Sequence, residues 1–210
     1  MQGKLVPQDP TDESAAEILK RINPKAKIIT DNPHYPKLPD NWVLTDIQSV
    51  SNYGKCYSID VDEINENDWI LELEDIEKDS GIILGKKRKS DREVKGVRHT
   101  FLSGDILYSK LRTYLNKVLI APNSGYCSTE IIPIKCQDSI TPQYFCAWLR
   151  SSYFLAYTQS CGYGVKMPRL STADARNGIV PLPPLNEQRR IMEQINSLFG
   201  ILDSIASSVS

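Results

Sequence analysis

Residues 181–193 read PLPPLNEQRRIME and join a run of three prolines to the start of an amphipathic segment near the end of a 210-residue chain. Proline fixes φ and lacks an N–H group, so the run stiffens the backbone just before a helix. Asn186 is predicted to cap the first helical turn, and Glu187 suits the positive end of the helix dipole. The stretch therefore predicts a rigid joint between a folded domain and a terminal helix.

The terminal helix is predicted to carry a narrow apolar seam. Apolar residues recur after Glu187 at steps of four and three as far as Val209, which is the spacing of a coiled coil. Gly200 weakens this helix by about 1 kcal/mol relative to Ala. Such a seam needs a partner helix, and the candidate helix-pairing residues are Ile191, Ile195, Leu198, Leu202 and Ile205.

Short strands are predicted between residues 42 and 135. WILELEDI at 69–76 alternates apolar and acidic residues, which is the period of a half-buried strand. HTFLSGDILYSKL at 99–111 places the turn formers Ser-Gly-Asp between two apolar runs. Two further strands are predicted in NKVLIAP at 116–122 and STEIIPIKC at 128–136. Short strands with frequent turns indicate a β-rich core.

Two other segments have helical patterns. SAAEILKRI at 14–22 predicts a short helix with Asp12 or Ser14 as its N-cap. TPQYFCAWLRSSYFLAYTQS at 141–160 predicts a single helix that Thr141 caps. We therefore predict an α+β fold, in which a β-rich domain with a few helices precedes a C-terminal helix of the coiled-coil type. The predicted divisions are a connector at 1–37, the domain at 38–185 and the helix at 186–210.

The composition is typical of a soluble globular protein, with 40% hydrophobic and 24% charged residues. No stretch approaches the roughly 18–20 continuous apolar residues of a membrane span. The N-terminus lacks the basic start and apolar block of a signal peptide, so we expect a cytoplasmic protein that does not bind membranes. The five cysteines include no CxxC pair and are expected to be free thiols.

Charge is unevenly distributed along the chain, although the formal net charge is only −1. Residues 60–79 are mostly acidic, whereas residues 86–117 are mostly basic. A solvated charged face is the ordinary interpretation of such runs. The segregation nevertheless keeps nucleic-acid binding open, because a near-neutral total can conceal a basic surface.

Common catalytic motifs are absent from the sequence. It contains no GxxxxGK[ST] phosphate loop, GxGxxG nucleotide motif, HExxH zinc motif or GxSxG nucleophile elbow. LPPL at 182–185 shares only its prolines with the catalytic motif of adenine and cytosine methyltransferases. One permissive pattern remains, in which Asp79, Glu93 and Lys95 would hold Mg²⁺ in a nuclease.

Four motifs in order resemble one known family. They are LPDNW at 38–42, GDILYSKLRTYLNKVLIAP at 104–122, STE at 128–130 and GIVPLPPLNEQRRI at 178–191. Together they resemble a target recognition domain from the specificity subunit of type I restriction-modification systems. Residues 2–22 are similar to the segment that follows the conserved helix of a preceding repeat in that family.

The resemblance implies a non-catalytic protein that reads one half of a split sequence in double-stranded DNA. A complete specificity subunit has two such domains separated by two antiparallel helices, whose length sets the gap between the half-sites. It recruits methyltransferase subunits, which use S-adenosylmethionine, and restriction subunits, which hydrolyse ATP with Mg²⁺. We therefore expect no cofactor in this chain itself.

This sequence departs from the family pattern because it holds one recognition domain instead of two. It is therefore either a half-size subunit or a fragment of a longer one. A half-size subunit would associate with itself or with a second half-subunit through the C-terminal helix. The remaining alternative is a structural adaptor whose coiled-coil seam is its whole function.

The candidate DNA-binding residues are cationic or aromatic side chains near the family motifs. Cations beside a DNA backbone supply affinity without sequence information. We assign phosphate contacts to Lys110, Arg112 and Lys117, and groove or phosphate contacts to Tyr163, Lys166 and Arg169. The basic loop at 86–98 is a candidate base-reading element, because loops carry recognition, and it contributes Lys87 and Arg98.

Overall fold

The first described element is a short capped helix. The computed structural model describes residues 3–30, 35, 37–164 and 167–209, with the side chain of Val209 excepted. Helix α1 (Ala15–Ile22) begins at Ser14, whose hydroxyl accepts a hydrogen bond from the Ala16 amide, and ends at Asn23. The predicted helix and its Ser14 cap are therefore confirmed. Ile18 and Leu19 are buried, so this helix packs against the domain that follows.

The domain begins and ends in one two-stranded antiparallel sheet. Strand β1 (Val43–Asp46) pairs with β9 (Ile179–Leu182), with Val43 opposite Leu182 and Asp46 opposite Ile179. A single turn of helix, α2 (Ile47–Val50), follows β1, and the Asp46 carboxylate caps it by accepting from the Ser49 amide. The chain segments before β1 and after β9 therefore lie next to each other at the boundary of the domain.

Seven further strands form two sheets. The four-stranded sheet has the order β2, β4, β7, β3, and the three-stranded sheet has the order β6, β5, β8. Only β3 and β7 pair in parallel; the other ladders are antiparallel. In chain order the strands are β2 (Ser58–Asp60), β3 (Ile70–Leu71), β4 (Val97–Phe101), β5 (Ile106–Ser109), β6 (Val118–Ile120), β7 (Gly125–Cys127) and β8 (Ile131–Ile134). The turn predicted at 103–105 is present, and it carries the chain from one sheet to the other.

The strand predicted at 69–76 is largely wrong. Only Ile70 and Leu71 lie in a strand, and Leu73–Asp75 form a 3₁₀ turn. The turn buries the Asp75 carboxylate, which leaves 3% of its side chain exposed and receives two hydrogen bonds from Arg92 at 2.7 and 2.8 Å. The alternating acids therefore do not form the solvent face of a long strand, because one of them turns inward to meet a cation.

Helices α3, α4 and α5 lie between β8 and β9. Helix α3 (Pro142–Leu149) begins at Thr141 as predicted, and its cap is confirmed by the bond from the Tyr144 amide to the Thr141 hydroxyl. The prediction of one helix over 141–160 is wrong. Ser151 adopts an extended conformation and caps a separate helix, α4 (Ser152–Cys161), by accepting from the Phe154 amide. Helix α5 (Thr172–Asn177) follows the loop after α4, and Ser171 caps it.

Helix α6 (Leu185–Val209) begins one residue before the predicted start. Its first backbone hydrogen bond joins the Gln188 amide to the Pro184 carbonyl. The predicted Asn186 cap is wrong, because the Asn186 side chain donates to Asp12 at 3.1 Å and accepts from Arg189 at 2.8 Å. Asp12, which lies 174 positions away, and the neighbouring Arg189 therefore take the side chain that local sequence assigns to the helix end.

The main core lies beneath α3 and α4. Its largest buried side chains are Trp148, Tyr53, Tyr144, Phe145 and Phe154. Trp148 stacks obliquely on Phe154 with 4.6 Å between ring centroids. Ile191 of α6 belongs to the same core. A smaller core between the two larger sheets contains Leu71, Phe101, Leu107 and Ile131. These layers confirm the α+β class. The five cysteines are free thiols, as expected.

Candidate nucleic-acid interface

The joint between the domain and α6 is built on a buried carboxylate. The side chain of Glu187 is fully buried. One of its oxygens accepts a hydrogen bond from the Trp42 indole at 2.9 Å, and the other accepts from the Gln8 amide at 2.6 Å. Burial raises the pKa of the Glu187 carboxyl, while the bonds from Gln8 and Trp42 and the nearby Arg190 oppose this rise. The carboxylate thus ties α6 to two distant segments.

Gln188 makes a second set of buried bonds at the same joint. Its side-chain oxygen accepts from the Thr141 amide at 2.7 Å, directly before α3. Its side-chain nitrogen donates to the Ser139 carbonyl at 3.1 Å and to the Pro183 carbonyl at 2.9 Å. Because the amide uses both donors and its acceptor inside the protein, it holds α6 in one orientation.

The N-terminal segment is attached to the first turn of α6. The buried Asp12 side chain forms an ion pair with Arg190 at 2.6 Å and accepts from Asn186 at 3.1 Å. Together with the bond between Gln8 and Glu187, these contacts fix residues 8–12 against the helix. The proline-rich joint is therefore rigid, as its sequence predicts, but side chains remote in the chain supply most of the rigidity.

Two segments that carry candidate DNA-binding residues lie side by side. The Leu170 amide donates to the Lys110 carbonyl at 2.9 Å, and the Arg112 amide donates to the Pro168 carbonyl at 2.7 Å. Tyr163 and Arg169 also exchange backbone bonds at 3.0 and 2.8 Å. The structure thus brings four predicted residues together on one surface, although more than 40 positions separate the two segments.

The side chains on this surface differ in what they can bind. Arg112 is exposed and sits at a left-handed φ of 51°, which turns the chain sharply after β5. Tyr163 leaves 57% of its surface exposed. Arg169 forms a two-pronged ion pair with Glu130, with nitrogen-to-oxygen distances of 3.1 to 3.3 Å. Glu130, in the STE motif, was not predicted to be a site residue. Lys166 lies outside the described residues.

The acidic and basic runs neutralise each other. Asp75 pairs with Arg92 at 2.7 Å and with Lys87 at 3.6 Å. Two further pairs have the same character: Lys89 binds Glu66 at 2.9 Å, and Arg98 binds Glu72 at 3.2 Å. The charge segregation in the sequence therefore reflects contacts within the fold, and most of the basic loop at 86–98 does not present unpaired charge.

Arg98 and Lys117 are largely engaged with the protein. The Arg98 side chain is only 13% exposed. The Lys117 ammonium donates to the Leu73 carbonyl at 2.7 Å, and burial lowers the pKa of this lysine, while Asp75 and Glu74 oppose that change. This geometry favours structural roles for both cations. Among the predicted phosphate-binding residues, Lys110 and Arg112 have no acidic partner within the described part of the chain.

The predicted helix-pairing residues divide into a buried and an exposed group. Ile191 is 3% exposed within the main core, and Ile195 packs partly against that core. Leu198, Leu202 and Ile205 are 43%, 57% and 55% exposed. Two neighbours that the seam pattern missed, Phe199 and Ile201, are 62% and 54% exposed. The unpartnered apolar face of α6 therefore begins at Leu198 and is wider than a coiled-coil seam.

The alternative nuclease site is not assembled in the described residues. Glu93 forms an exposed ion pair with Lys95 at 2.7 Å, and the Asp79 carbonyl accepts a hydrogen bond from Arg150. Across residues 3–30, 35, 37–164 and 167–209, no three His, Cys, Asp or Glu side chains are placed to hold a metal ion. Within the same residues, no helix is both long and apolar enough to span a bilayer.

Comparison with known protein families gives one match. The model of the type I restriction modification DNA specificity domain matches residues 39–206. Among curated proteins, the EcoDI specificity subunit of Escherichia coli is 28% identical over 179 residues, which are 85% of this chain and 39% of that protein. The EcoAI specificity subunit of Escherichia coli is also 28% identical, over 98% of this chain and 38% of that protein.

Solved structures share the fold. The HsdS subunit from Thermoanaerobacter tengcongensis superposes with a TM-score of 0.71 at 23% identity, over 84% of this chain and 46% of that one. A chain from a study of complex assembly and conformational transition of the type I R-M system superposes with a TM-score of 0.69 at 22% identity, over 82% of this chain and 45% of that one. This chain thus spans about two fifths of the length of the curated relatives that it matches.

Proposed function

The chain belongs to the family of type I restriction modification DNA specificity domains, and we propose that it is a non-catalytic module that reads one half of a bipartite site in double-stranded DNA. The observation that carries this proposal is the surface formed by residues 110–112, 163 and 168–170. Backbone hydrogen bonds fix the two segments to each other. Arg112 and Tyr163 are exposed there, and Lys110 is half-buried.

These three residues suit contacts with the DNA backbone. Lys110 and Arg112 lack acidic partners in the described structure, so their charge is available to phosphates. An exposed tyrosine such as Tyr163 combines an apolar ring with a hydroxyl that donates to phosphate or sugar oxygens. Backbone contacts of this kind set the register of the protein on the duplex, and neighbouring loop residues then read base edges.

Partner subunits would supply the chemistry. We infer that the chain docks a methyltransferase subunit, which uses S-adenosylmethionine, and through it joins restriction subunits that use ATP and Mg²⁺. Cytoplasmic residence follows from this role, since the target is cellular DNA. The exposed face of α6 that starts at Leu198 would pair with the same face of a second copy or of a second half-subunit. Two recognition domains held on paired helices would read the two halves of the site.

A binding titration tests the proposal. A degenerate library of bipartite duplexes is titrated with the chain and its methyltransferase subunit at several salt concentrations. We expect a sequence preference, and an affinity that falls steeply with salt. The double variant Lys110→Gln, Arg112→Gln should bind all duplexes more weakly and reduce the salt slope by about 0.9 for each lost phosphate contact.

Lys4→Gln is the matched control, because Lys4 is exposed beside residues 37–41 and the start of α6, which contribute no residue to the proposed surface. It removes the same kind of charge and should leave the slope unchanged. Binding without sequence preference or salt dependence would contradict the proposed function. Equal slopes for the double variant and the control would remove Lys110 and Arg112 from the interface.

A further inference from the structure

A second basic surface lies outside the predicted site. Lys55, Lys135 and Arg176 border a cavity of about 570 Å³. The other residues that line this cavity are uncharged, so no carboxylate neutralises the three cations there. Both lysines are exposed, and neither forms an ion pair with a described acidic residue. The cavity therefore has the charge that an anionic ligand requires.

Arg176 is oriented by the protein backbone. Its Nε donates to the Tyr53 carbonyl at 2.9 Å. A guanidinium fixed through Nε keeps the donors of its two terminal nitrogens, which match the geometry of two phosphate oxygens. Within the described part of the chain, these terminal nitrogens have no acidic partner. Arg176 is thus positioned without being neutralised.

Local backbone geometry brings Lys55 to the same place. Gly54 has a φ of +77°, and a Cβ atom at this position would lie 2.5 Å from the methyl carbon of Thr172. Glycine therefore permits the segment before Lys55 to approach α5, the helix that carries Arg176. A residue without a Cβ atom is therefore required at position 54 for the two segments to pack this closely.

Lys135 is held beside the same segment from the other side. The Lys135 amide donates to the side-chain oxygen of Asn52 at 2.7 Å, and the Asn52 amide donates to the Lys135 carbonyl at 3.1 Å. Lys135 directly follows β8, so this pair of bonds joins the end of that strand to the segment that leads to Lys55. Three separate parts of the chain thus contribute one cation each.

The cavity lies near the surface that carries Lys110. Leu170, which donates to the Lys110 carbonyl, is followed by Ser171, the cap of α5, and Arg176 lies in the last turn of that helix. Six helical residues span about 9 Å at 1.5 Å per residue. Burial raises the pKa of the Cys56 thiol, and the positive charge of Lys110 opposes this rise. Lys110 therefore lies close to Cys56, the residue that follows Lys55.

We propose that Lys55, Lys135 and Arg176 bind backbone phosphates of the same DNA duplex that Lys110 and Arg112 contact. This inference rests on the proposed function. The two basic surfaces form one track, and a separation on the order of 9 Å corresponds to a few nucleotides at 3.4 Å of rise per strand. The second surface adds affinity and fixes the angle of the domain on the duplex, without reading bases.

The test combines protein variants with modified DNA. The full chain and its methyltransferase subunit are titrated with the preferred duplex from the library experiment. Three forms of the chain are compared: the wild type, the double variant Lys55→Gln, Lys135→Gln, and the Lys4→Gln control, whose neighbours do not line the cavity. We expect the double variant to reduce the salt slope by about 1.8, which corresponds to two lost phosphate contacts, while sequence preference is retained. Arg176 is left intact because its bond to Tyr53 supports the fold.

Methylphosphonate substitution identifies the phosphates concerned. Replacing a phosphate that the cavity binds with an uncharged methylphosphonate should weaken DNA binding by the wild type. The same replacement should not change binding by the double variant, which has already lost that contact. Thermal unfolding of each variant checks the fold, and the single variant Lys55→Gln, which changes one exposed side chain, replaces the double variant if the latter unfolds.

The outcomes separate the two proposals. One outcome is that the wild type prefers a sequence while the double variant Lys55→Gln, Lys135→Gln matches the control in its salt slope and in its response to methylphosphonates. In that case the second surface is not a phosphate site, and the proposed function stands. If the wild type itself binds without sequence preference, the proposed function fails, and this inference fails with it.

Discussion

The indole nitrogen of Trp42 donates a hydrogen bond to the carboxylate of Glu187 at 2.9 Å, across 145 positions of sequence. Both side chains are buried, and the other carboxylate oxygen accepts from Gln8. One acidic residue in the first turn of α6 therefore connects the start of the domain, the N-terminal segment and the terminal helix.

Removing this carboxylate should destabilise the whole domain. Glu187→Ala leaves the Trp42 indole without its buried acceptor, and an unsatisfied buried donor costs about 1–3 kcal/mol. We expect the free energy of unfolding, measured by urea titration with circular dichroism, to fall by that amount. Glu193→Ala changes an exposed glutamate on the same helix and should alter stability by less than about 0.5 kcal/mol. Equal losses in the two variants would contradict the role of the joint.

The same carboxyl makes stability depend on pH. Burial raises the folded-state pKa of Glu187 above its usual value of 4.5. Between the usual and the raised pKa, the folded state binds more protons than the unfolded state, so this group's contribution to stability falls as pH rises through that window. Glu187→Gln cannot lose a proton, so its unfolding midpoint in urea should decline less than that of the wild type as the pH rises above 4.5. A steeper decline in the variant would show that the sign is wrong.

Charge on the exposed face of α6 should abolish helix pairing. Leu198→Asp or Leu202→Asp places a carboxylate where apolar side chains are 43% and 57% exposed. We expect the wild type to self-associate in sedimentation experiments and both variants to sediment as monomers with unchanged thermal unfolding of the domain. Gln194→Asp adds the same charge at an exposed polar position and serves as the control. An oligomer that persists in the Leu198 and Leu202 variants would exclude this face as the pairing surface.

Gly200 should be replaceable with a gain in helix stability. A Cβ atom at Gly200 would meet no atom within 4 Å, and Ala in a helix interior is favoured over Gly by about 1 kcal/mol. Gly200→Ala should therefore slow amide hydrogen exchange in residues 196–205 about fivefold. Gly54→Ala is the opposite case, because its φ of +77° and the 2.5 Å approach to Thr172 predict destabilisation. Unchanged exchange at 196–205 would indicate that this part of α6 is already fully helical or fully frayed.

Local signals in the sequence predict several elements correctly. Ser14 and Thr141 cap their helices as predicted, because a cap involves residues only two or three positions away. Free cysteines and the α+β class also follow from composition and periodicity. The start of α6 is predicted to within one residue, although Asn186 does not cap it, since Asp12 binds its amide from 174 positions away.

The site is less predictable, because tertiary contacts decide which of the charged side chains form ion pairs with one another. The basic run at 86–98 suggests a nucleic-acid surface, yet Asp75, Glu66 and Glu72 pair with most of it. Conversely, no sequence pattern links Lys55, Lys135 and Arg176, which come from three separate segments. Only the pairing of residues 110–112 with 168–170 identifies which predicted cations share a surface.

The antiparallel pairing of β1 with β9 has a consequence for how the domain could evolve by recombination. Because these two strands are neighbours, the polypeptide passes into and out of the domain at nearly the same point. A recombination event with breakpoints in the two strands would exchange all the loops between them and leave the bonds of Glu187 to Gln8 and Trp42 in place. If the domain reads DNA as proposed, a lineage could thus acquire a new DNA preference in one genetic step, whereas point mutations would have to alter a shared charged surface one residue at a time.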